Sequence, residues 1–239
     1  MDSTNIGHHI SGQYNKELED IRNHVLTMGG LVEEQIEQAI KAFTSADVEL
    51  AEQVIKQDNQ IDALEKALDR ECMQIMALRQ PTAFDLRLLI TVLRIINELE
   101  RVGDMAEHVA KMAIHLADIE GNKNDSYYEI QHMADLVKTM LHDALDAFAR
   151  MSLEQVPAIT GKDENVDREY ASIIRQQITH MMEDPRNITR TLNVLWTVRS
   201  LERIGDHACN ICEHLVYMIK GEDVRHISRA ELERKVKGE

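Results

Sequence analysis

Residues that break helices are scarce in this chain, and so are aromatics. Its 239 residues include three Pro, ten Gly and 4% aromatics. That leaves too little turn punctuation for a many-stranded fold. Cysteine is nearly absent: Cys72, Cys209 and Cys212 are an odd number, which excludes a disulfide framework and predicts a reducing cytosol. The opening MDSTNIGHHISGQ has no basic region followed by an apolar one, so no export signal is expected. No apolar run is long enough to cross a bilayer. The strongest, Leu86 to Ile96, is interrupted by Arg87 and Arg94. Positive charge is the scarcer sign, with 27 Lys+Arg against 42 Asp+Glu and a net charge of −15. Nucleic acid and bare anionic membrane repel such a surface, whereas cations and basic protein surfaces attract it. Neither nucleic-acid binding nor direct membrane insertion is expected. A glycine-rich phosphate loop, a nucleophile elbow and an H-E-x-x-H zinc motif are all missing.

What remains is a helix-forming composition. Hydrophobic residues make up 44% and charged residues 29%, enough apolar surface for a folded core. Ala, Leu, Met, Glu, Gln and Lys are plentiful, and all are good helix formers.

The chain also repeats itself. At an offset of 105, Met28, Leu31, Val32, Ala39, Ala42, Phe43, Asp58 and Asp62 recur as Met133, Leu136, Val137, Ala144, Ala147, Phe148, Asp163 and Asp167. Further on the offset is 102. Leu99, Glu100, Arg101, Gly103, Asp104 and Ala106 then recur as Leu201, Glu202, Arg203, Gly205, Asp206 and Ala208. The three-residue change falls between the second and third segments of the copies, where Arg79-Gln80-Pro81 and Glu183-Asp184-Pro185 both look like a turn. Two copies of a unit of roughly 100 residues are implied.

Apolar residues recur at helical spacing, for example Val92, Leu93, Ile96, Leu99 and Val102. Helices are expected over 12–45, 47–79 and 82–117, and again over 125–150, 153–182 and 186–219. Breakers mark the joints at Ser45-Ala46-Asp47, Pro81, Gly121 to Asp125, Ser152 and Pro185. The expected fold is all-α, two tandem pseudo-symmetric three-helix bundles. The first repeat covers 1–120 and the second 121–220, and a polar tail at 221–239 is loose or a short helix. Gly29-Gly30 inside the first helix predicts a kink or a close helix contact, and Pro157 a first helical turn.

Four acidic pairs stand at i, i+4: Asp58 with Asp62, Glu100 with Asp104, Asp163 with Asp167, and Glu202 with Asp206. Like charges so spaced share a helix face and destabilise it by a few tenths of a kcal/mol. Four pairs at equivalent positions are a cost that packing does not explain and that metal ions would offset. The acids lie beside the core stripe: Asp58, Asp62, Glu65 and Asp69 run along Ile61, Leu64, Leu68 and Ile75. If the second and third helices of each copy are antiparallel neighbours, their acidic edges meet. The result is an oxygen-rich site suited to Mg, Mn, Ca or iron. Gly103 and Gly205 allow close approach there. His108 and Asn210, four residues after Asp104 and Asp206, are possible further ligands, though a helix-surface role is the simpler reading. Cys209 and Cys212, flanked by His207 and His214, cannot close a zinc site from one helix.

The repeated Leu-Glu-Arg-[Val/Ile]-Gly-Asp at 99–104 and 201–206 resembles the paired signature of the PhoU family. So do Arg79-Gln80-Pro81-Thr82-Ala83-Phe84-Asp85-Leu86-Arg87 and the opening His9-Ile10-Ser11-Gly12-Gln13. The resemblance covers nearly the whole chain. It implies a non-enzymatic cytoplasmic regulator, peripheral at the inner membrane, that restrains phosphate uptake and the phosphate-starvation regulon. It further implies an adaptor joining the ATPase of a phosphate ABC transporter (PstB) to a sensor histidine kinase (PhoR), and homodimerisation. It implies divalent or trivalent metal ions (Mg, Mn, Fe or Zn) at the E/D-x-x-x-D pairs, here Asp58, Asp62, Glu100, Asp104, Asp163, Asp167, Glu202 and Asp206. The second copy departs from the first: Asn210 replaces His108, Tyr170 replaces Glu65, and the R-Q-P-T-A-F-D-L-R segment is missing. The two clusters are therefore expected to differ. A carboxylate-bridged metalloenzyme and a purely structural helical scaffold are the alternative functions.

Overall fold

The computed structural model describes residues 12–119, 127–225 and 227–237. Three long helices, α1 (Gly12–Ser45), α2 (Val48–Arg79) and α3 (Ala83–Ala117), form the first repeat. Helices α4 (Tyr128–Arg150), α5 (Val156–Glu183) and α6 (Ile188–Lys220) form the second, and α7 (Arg229–Lys237) follows. The all-α expectation holds. Part of the opening His9 to Gln13, the joint at 121–125 and the expected start of the fourth helix lie outside the described residues.

Local chemistry sets the helix ends. Asp47 caps α2 by accepting from the Leu50 backbone N–H at 3.0 Å. Gln80 ends α2 in the left-handed region, at φ 48°. Pro157 falls in the first turn of α5, where a missing N–H costs nothing. Pro185–Asn187 make a 3-10 turn before α6, so α6 begins two residues later than its periodicity suggests. Gly221 closes α6 at φ 73°. The tail does form a helix, held by Lys220, whose Nζ donates to the carbonyls of Lys235 and Val236 at the end of α7.

The glycine pair divides its labour. A Cβ on Gly29 would stand 2.6 Å from Leu145 Cδ1 of α4, so this is a close helix contact, while Gly30 faces open space. The Arg-Gln-Pro elbow between α2 and α3 ties three helices. Arg79 makes a bidentate pair with Glu17 of α1 at 2.6 and 2.9 Å. Arg87 Nε donates to the Met218 carbonyl of α6 at 3.0 Å.

The two repeats meet along α3 and α6, which run antiparallel. Val92, Ile95, Leu99, Leu201, Ala208 and Leu215 are buried on these two helices, and Thr91 Oγ1 donates to the His214 carbonyl across the seam at 3.4 Å. It also carries a buried charge. Glu98, 9% exposed, meets His207 Nδ1 at 2.6 Å, Asn210 Nδ2 at 3.1 Å and His214 Nε2 at 3.5 Å. Burial pushes the Glu98 carboxyl up, but the bonds from His207, His214 and Asn210 outweigh it and hold the group well below the usual carboxylate range.

Candidate metal centres

The acidic pairs sit where α2 faces α3 and where α5 faces α6. In the first repeat, carboxylate oxygens of Asp58, Asp104 and Glu107 lie within 4.8 Å of one another. Glu107 completes this group three residues after Asp104, one turn along the same face. The paired-acid pattern missed it because the second copy has no acid at the equivalent position. Asp62 and Glu100 flank the trio: Asp62 is close enough to raise both the Glu100 and the Asp104 carboxyl. Burial is the first cause of the upward shifts at Asp58, Glu100 and Asp104, followed by the neighbouring carboxylates. At Asp58 a hydrogen bond from Gln35 opposes the rise.

Gln35 of α1 is the second residue the pattern missed. It is 1% exposed, and its Nε2 donates to Asp58 Oδ1 at 3.0 Å. Its Oε1 is buried without a hydrogen-bond partner. An orphaned carbonyl-type oxygen beside three converging carboxylates is the donor set of a hard cation, so the residues present fit Mg, Mn, Ca or iron. Gly103 makes the approach possible: a Cβ there would stand 3.1 Å from Asp58 Oδ1 and 3.2 Å from Gln35 Oε1.

The second repeat has the same frame with different walls. Asp163 is drawn up to about 6, by burial first and then by Asp167, Asp206 and Glu202. Glu202 and Asp206 are raised as well, again by burial first. The four acids therefore face one another. Yet among the described residues no trio here is as tight as Asp58, Asp104 and Glu107. Two replacements explain this. Met140 stands where the first copy has Gln35, so the amide donor is gone. Cys209 stands where it has Glu107. Cys209 lies beside Asp163 and Asp206, and burial, then those charges, push its thiol far up. The second site thus offers four carboxylates and a protonated thiol, softer and wider than the first.

Several candidates are placed elsewhere. His108 Nδ1 pairs with Ser200 Oγ at 3.0 Å, and Asn210 donates to Glu98. Both are engaged across the α3–α6 seam. His207 and His214 serve Glu98 rather than the cysteines. Cys72, Cys209 and Cys212 are free thiols, and burial lifts Cys72 and Cys212 to about 12.

Comparison with known proteins agrees with this duplicated architecture. The family described as "PhoU domain" matches residues 25–113 and 130–215. The chain is 46% identical over 238 residues to a phosphate-specific transport system accessory protein PhoU homolog of Pseudomonas putida, covering all of this chain and 93% of that protein. It is 44% identical to the Escherichia coli phosphate-specific transport system accessory protein PhoU, covering 100% and 98%. The crystal structure of PhoU from Pseudomonas aeruginosa superposes with a TM-score of 0.83 at 48% identity, covering 88% of this chain and all of that one. A phosphate transport system regulatory protein from Streptococcus pneumoniae gives 0.82 at 32% identity, covering 89% and 99%.

Proposed function

The chain belongs to the PhoU family, and on that premise we propose that it is a metal-binding, non-catalytic regulator of phosphate uptake. It restrains the phosphate transporter and keeps the phosphate-starvation regulon off when phosphate is ample. It acts as an adaptor between the ATPase of a phosphate ABC transporter and a sensor histidine kinase, at the cytoplasmic side of the membrane, and it works as a homodimer. No described helix is long and apolar enough to cross a membrane, and in this reading the chain attaches through its partners.

The observation that carries the metal part is the cluster of Asp58, Asp104 and Glu107, with the orphaned oxygen of the Gln35 amide that bonds Asp58. A bound cation there would neutralise carboxylates that otherwise repel one another across α2 and α3. Metal occupancy would thereby set how tightly these two helices close. A regulator needs such a ligand-dependent difference, because only differential binding shifts an assembly between states. Metal also gives phosphate a route to an acidic face, through a bridging cation.

The test is a phosphate-starvation reporter in phosphate-replete cells. The variant changes Glu100, Asp104, Glu202 and Asp206 to Ala, with folding checked by circular dichroism. A reporter that turns on with folded protein supports the reading. A reporter that stays off assigns repression to other surfaces and leaves the clusters structural. Turnover that appears on metal loading would favour a metalloenzyme instead.

A further inference from the structure

The first half of α6 carries an apolar ridge that the described residues leave about half exposed. Ile188, Leu192 and Trp196, spaced i, i+4, i+8, are 42%, 44% and 51% exposed. Trp196 is the sole tryptophan of the chain. Arg199 and Arg203 extend the same stripe: at ~100° per residue the five side chains fall within an arc of ~80°. Both arginines are exposed. Across the seam His108 meets the Trp196 ring edge-on, with centroids 6.4 Å apart. Lys111, His115 and Arg203 lie close enough to His108 to depress it, after burial. A chain of net charge −15 therefore gathers apolar, aromatic and basic groups on one ridge. Acids do border it: Lys111 pairs with Glu107 at 2.5 Å, and Glu202 feels both Arg199 and Arg203.

The repeat shows what such a ridge accepts. Ile188, Leu192 and Trp196 correspond to Leu86, Ile90 and Arg94 of α3. There the chain meets Arg94 with an aromatic and an acid, while Leu86 stays 37% exposed. Arg94 lies over the Tyr217 ring at 4.8 Å. Asp223, held low by Arg225 first, also feels Arg94. On α6 the corresponding cover is missing among the described residues.

We infer that the Ile188–Leu192–Trp196 ridge, with Arg199 and Arg203, docks an acidic amphipathic helix of a partner protein. This deepens the adaptor reading and rests on it. An i±4 ridge fits the groove of another helix. Trp and Arg are the residues that dominate interface energies. The basic end selects an acidic occupant. A second copy docked ridge on ridge would gather four arginines in one interface, whereas an acidic helix supplies the charge that pairs with them. The stripe leads on to Asp206, so a docked helix would reach the edge of the second acidic site.

Trp196 is its own reporter. Purified full-length protein is titrated with a synthetic amphipathic peptide of about 18 residues, five helical turns, with Leu on one face and Glu on the other. The control peptide carries Lys in place of Glu. The acidic peptide is expected to shift Trp196 emission to the blue and to saturate. Leu192→Asp should abolish the shift. Arg199→Glu with Arg203→Glu should weaken it about tenfold or more and turn the preference to the Lys peptide. These positions are exposed, so folding, checked by circular dichroism, should be intact. Equal or tighter response to the Lys peptide, or response to neither, overturns the inference. So does an emission that shifts on dilution of the protein alone, which would make the occupant a second copy. In phosphate-replete cells, both variants should turn the starvation reporter on as gene deletion does. If deletion turns it on and the variants do not, the ridge is not the docking face and the adaptor reading survives. If deletion leaves it off, the adaptor reading fails, while the peptide titration still decides the surface.

Discussion

The two helix-packed glycines make a paired prediction. Replacing either by Ala removes backbone freedom inside a helix, a gain of about 1 kcal/mol. At Gly205 the new Cβ would sit 3.6 Å from Asp163 Oδ1, Val137 Cγ1 and Val166 Cγ1, ordinary contact distances. The added methyl is buried and contributes roughly 0.8 kcal/mol more. Gly205→Ala should therefore stabilise by about 1–2 kcal/mol, which at this chain length raises Tm by roughly 2–4 °C per kcal/mol. At Gly103 the same methyl meets Asp58 Oδ1 at 3.1 Å, Gln35 Oε1 at 3.2 Å and Ile61 Cδ1 at 3.3 Å. Three atoms from two helices must each retreat by a few tenths of an ångström. The 3.0 Å bond between Gln35 and Asp58 is disturbed with them. Overpacking of this kind costs ~1–3 kcal/mol. Gly103→Ala should come out neutral to destabilising, about 2 kcal/mol below its counterpart. Thermal unfolding of both variants in EDTA measures the difference, and metal titration should show Gly103→Ala weakened at the first site. Equal stabilisation by the two substitutions would refute the tight approach of α1, α2 and α3 around Asp58.

Asp163, drawn up to about 6 from 3.8, binds more protons folded than unfolded between roughly those values. The contribution of Asp163 to the stability of metal-free protein should therefore fall as pH rises from about 4 to 6. Asp163→Asn should flatten that fall and raise Tm at pH 7 in EDTA, and it should lose the stabilisation that wild type gains from added metal. Glu98→Ala should leave His207 and His214 buried without their carboxylate and cost about 3–5 kcal/mol, read by urea denaturation. Lys220→Ala should speed amide exchange across residues 229–237 and leave the main unfolding transition within ~1 kcal/mol, because it removes only the contacts that Lys220 makes with the end of α7.

The helices were legible because hydrophobic period and breakers agree: α1 ends at Ser45 and α3 at Ala117, where the sequence places them. Ends shaped by single turns were less so. The 3-10 turn at Pro185–Asn187 leaves no mark in the apolar period. The carboxylates of the centres were legible through repetition, since two copies of one pattern are hard to produce by packing alone. Repetition also hid the partners that lack a duplicate. Gln35 corresponds to Met140, and Glu107 to Cys209, so a search for what the copies share passes over both. Glu98 was invisible for a related reason. Its counterpart is Ser200, and its ligands come from the other repeat, some 110 residues away. Nothing in the local sequence marks a buried ion pair formed at that range.

That asymmetric seam also bears on how a duplicated chain avoids pairing with the wrong half of another molecule. Helices α3 and α6 hold equivalent places in the two repeats, so α3 against α3, or α6 against α6, is the competing arrangement between two chains. The polar groups discriminate. Set against a second α3, Glu98 would meet Met105 and Met112 where it now has His207 and His214, and would keep only His108, in the place of Asn210. Set against a second α6, His207 would meet only Ser200 where it now has a carboxylate. Either mispairing takes partners from the buried carboxylate or leaves an imidazole without one, whereas the contact within one chain gives Glu98 three. Fused repeats that had stayed identical would have had no such means of recognising their own other half.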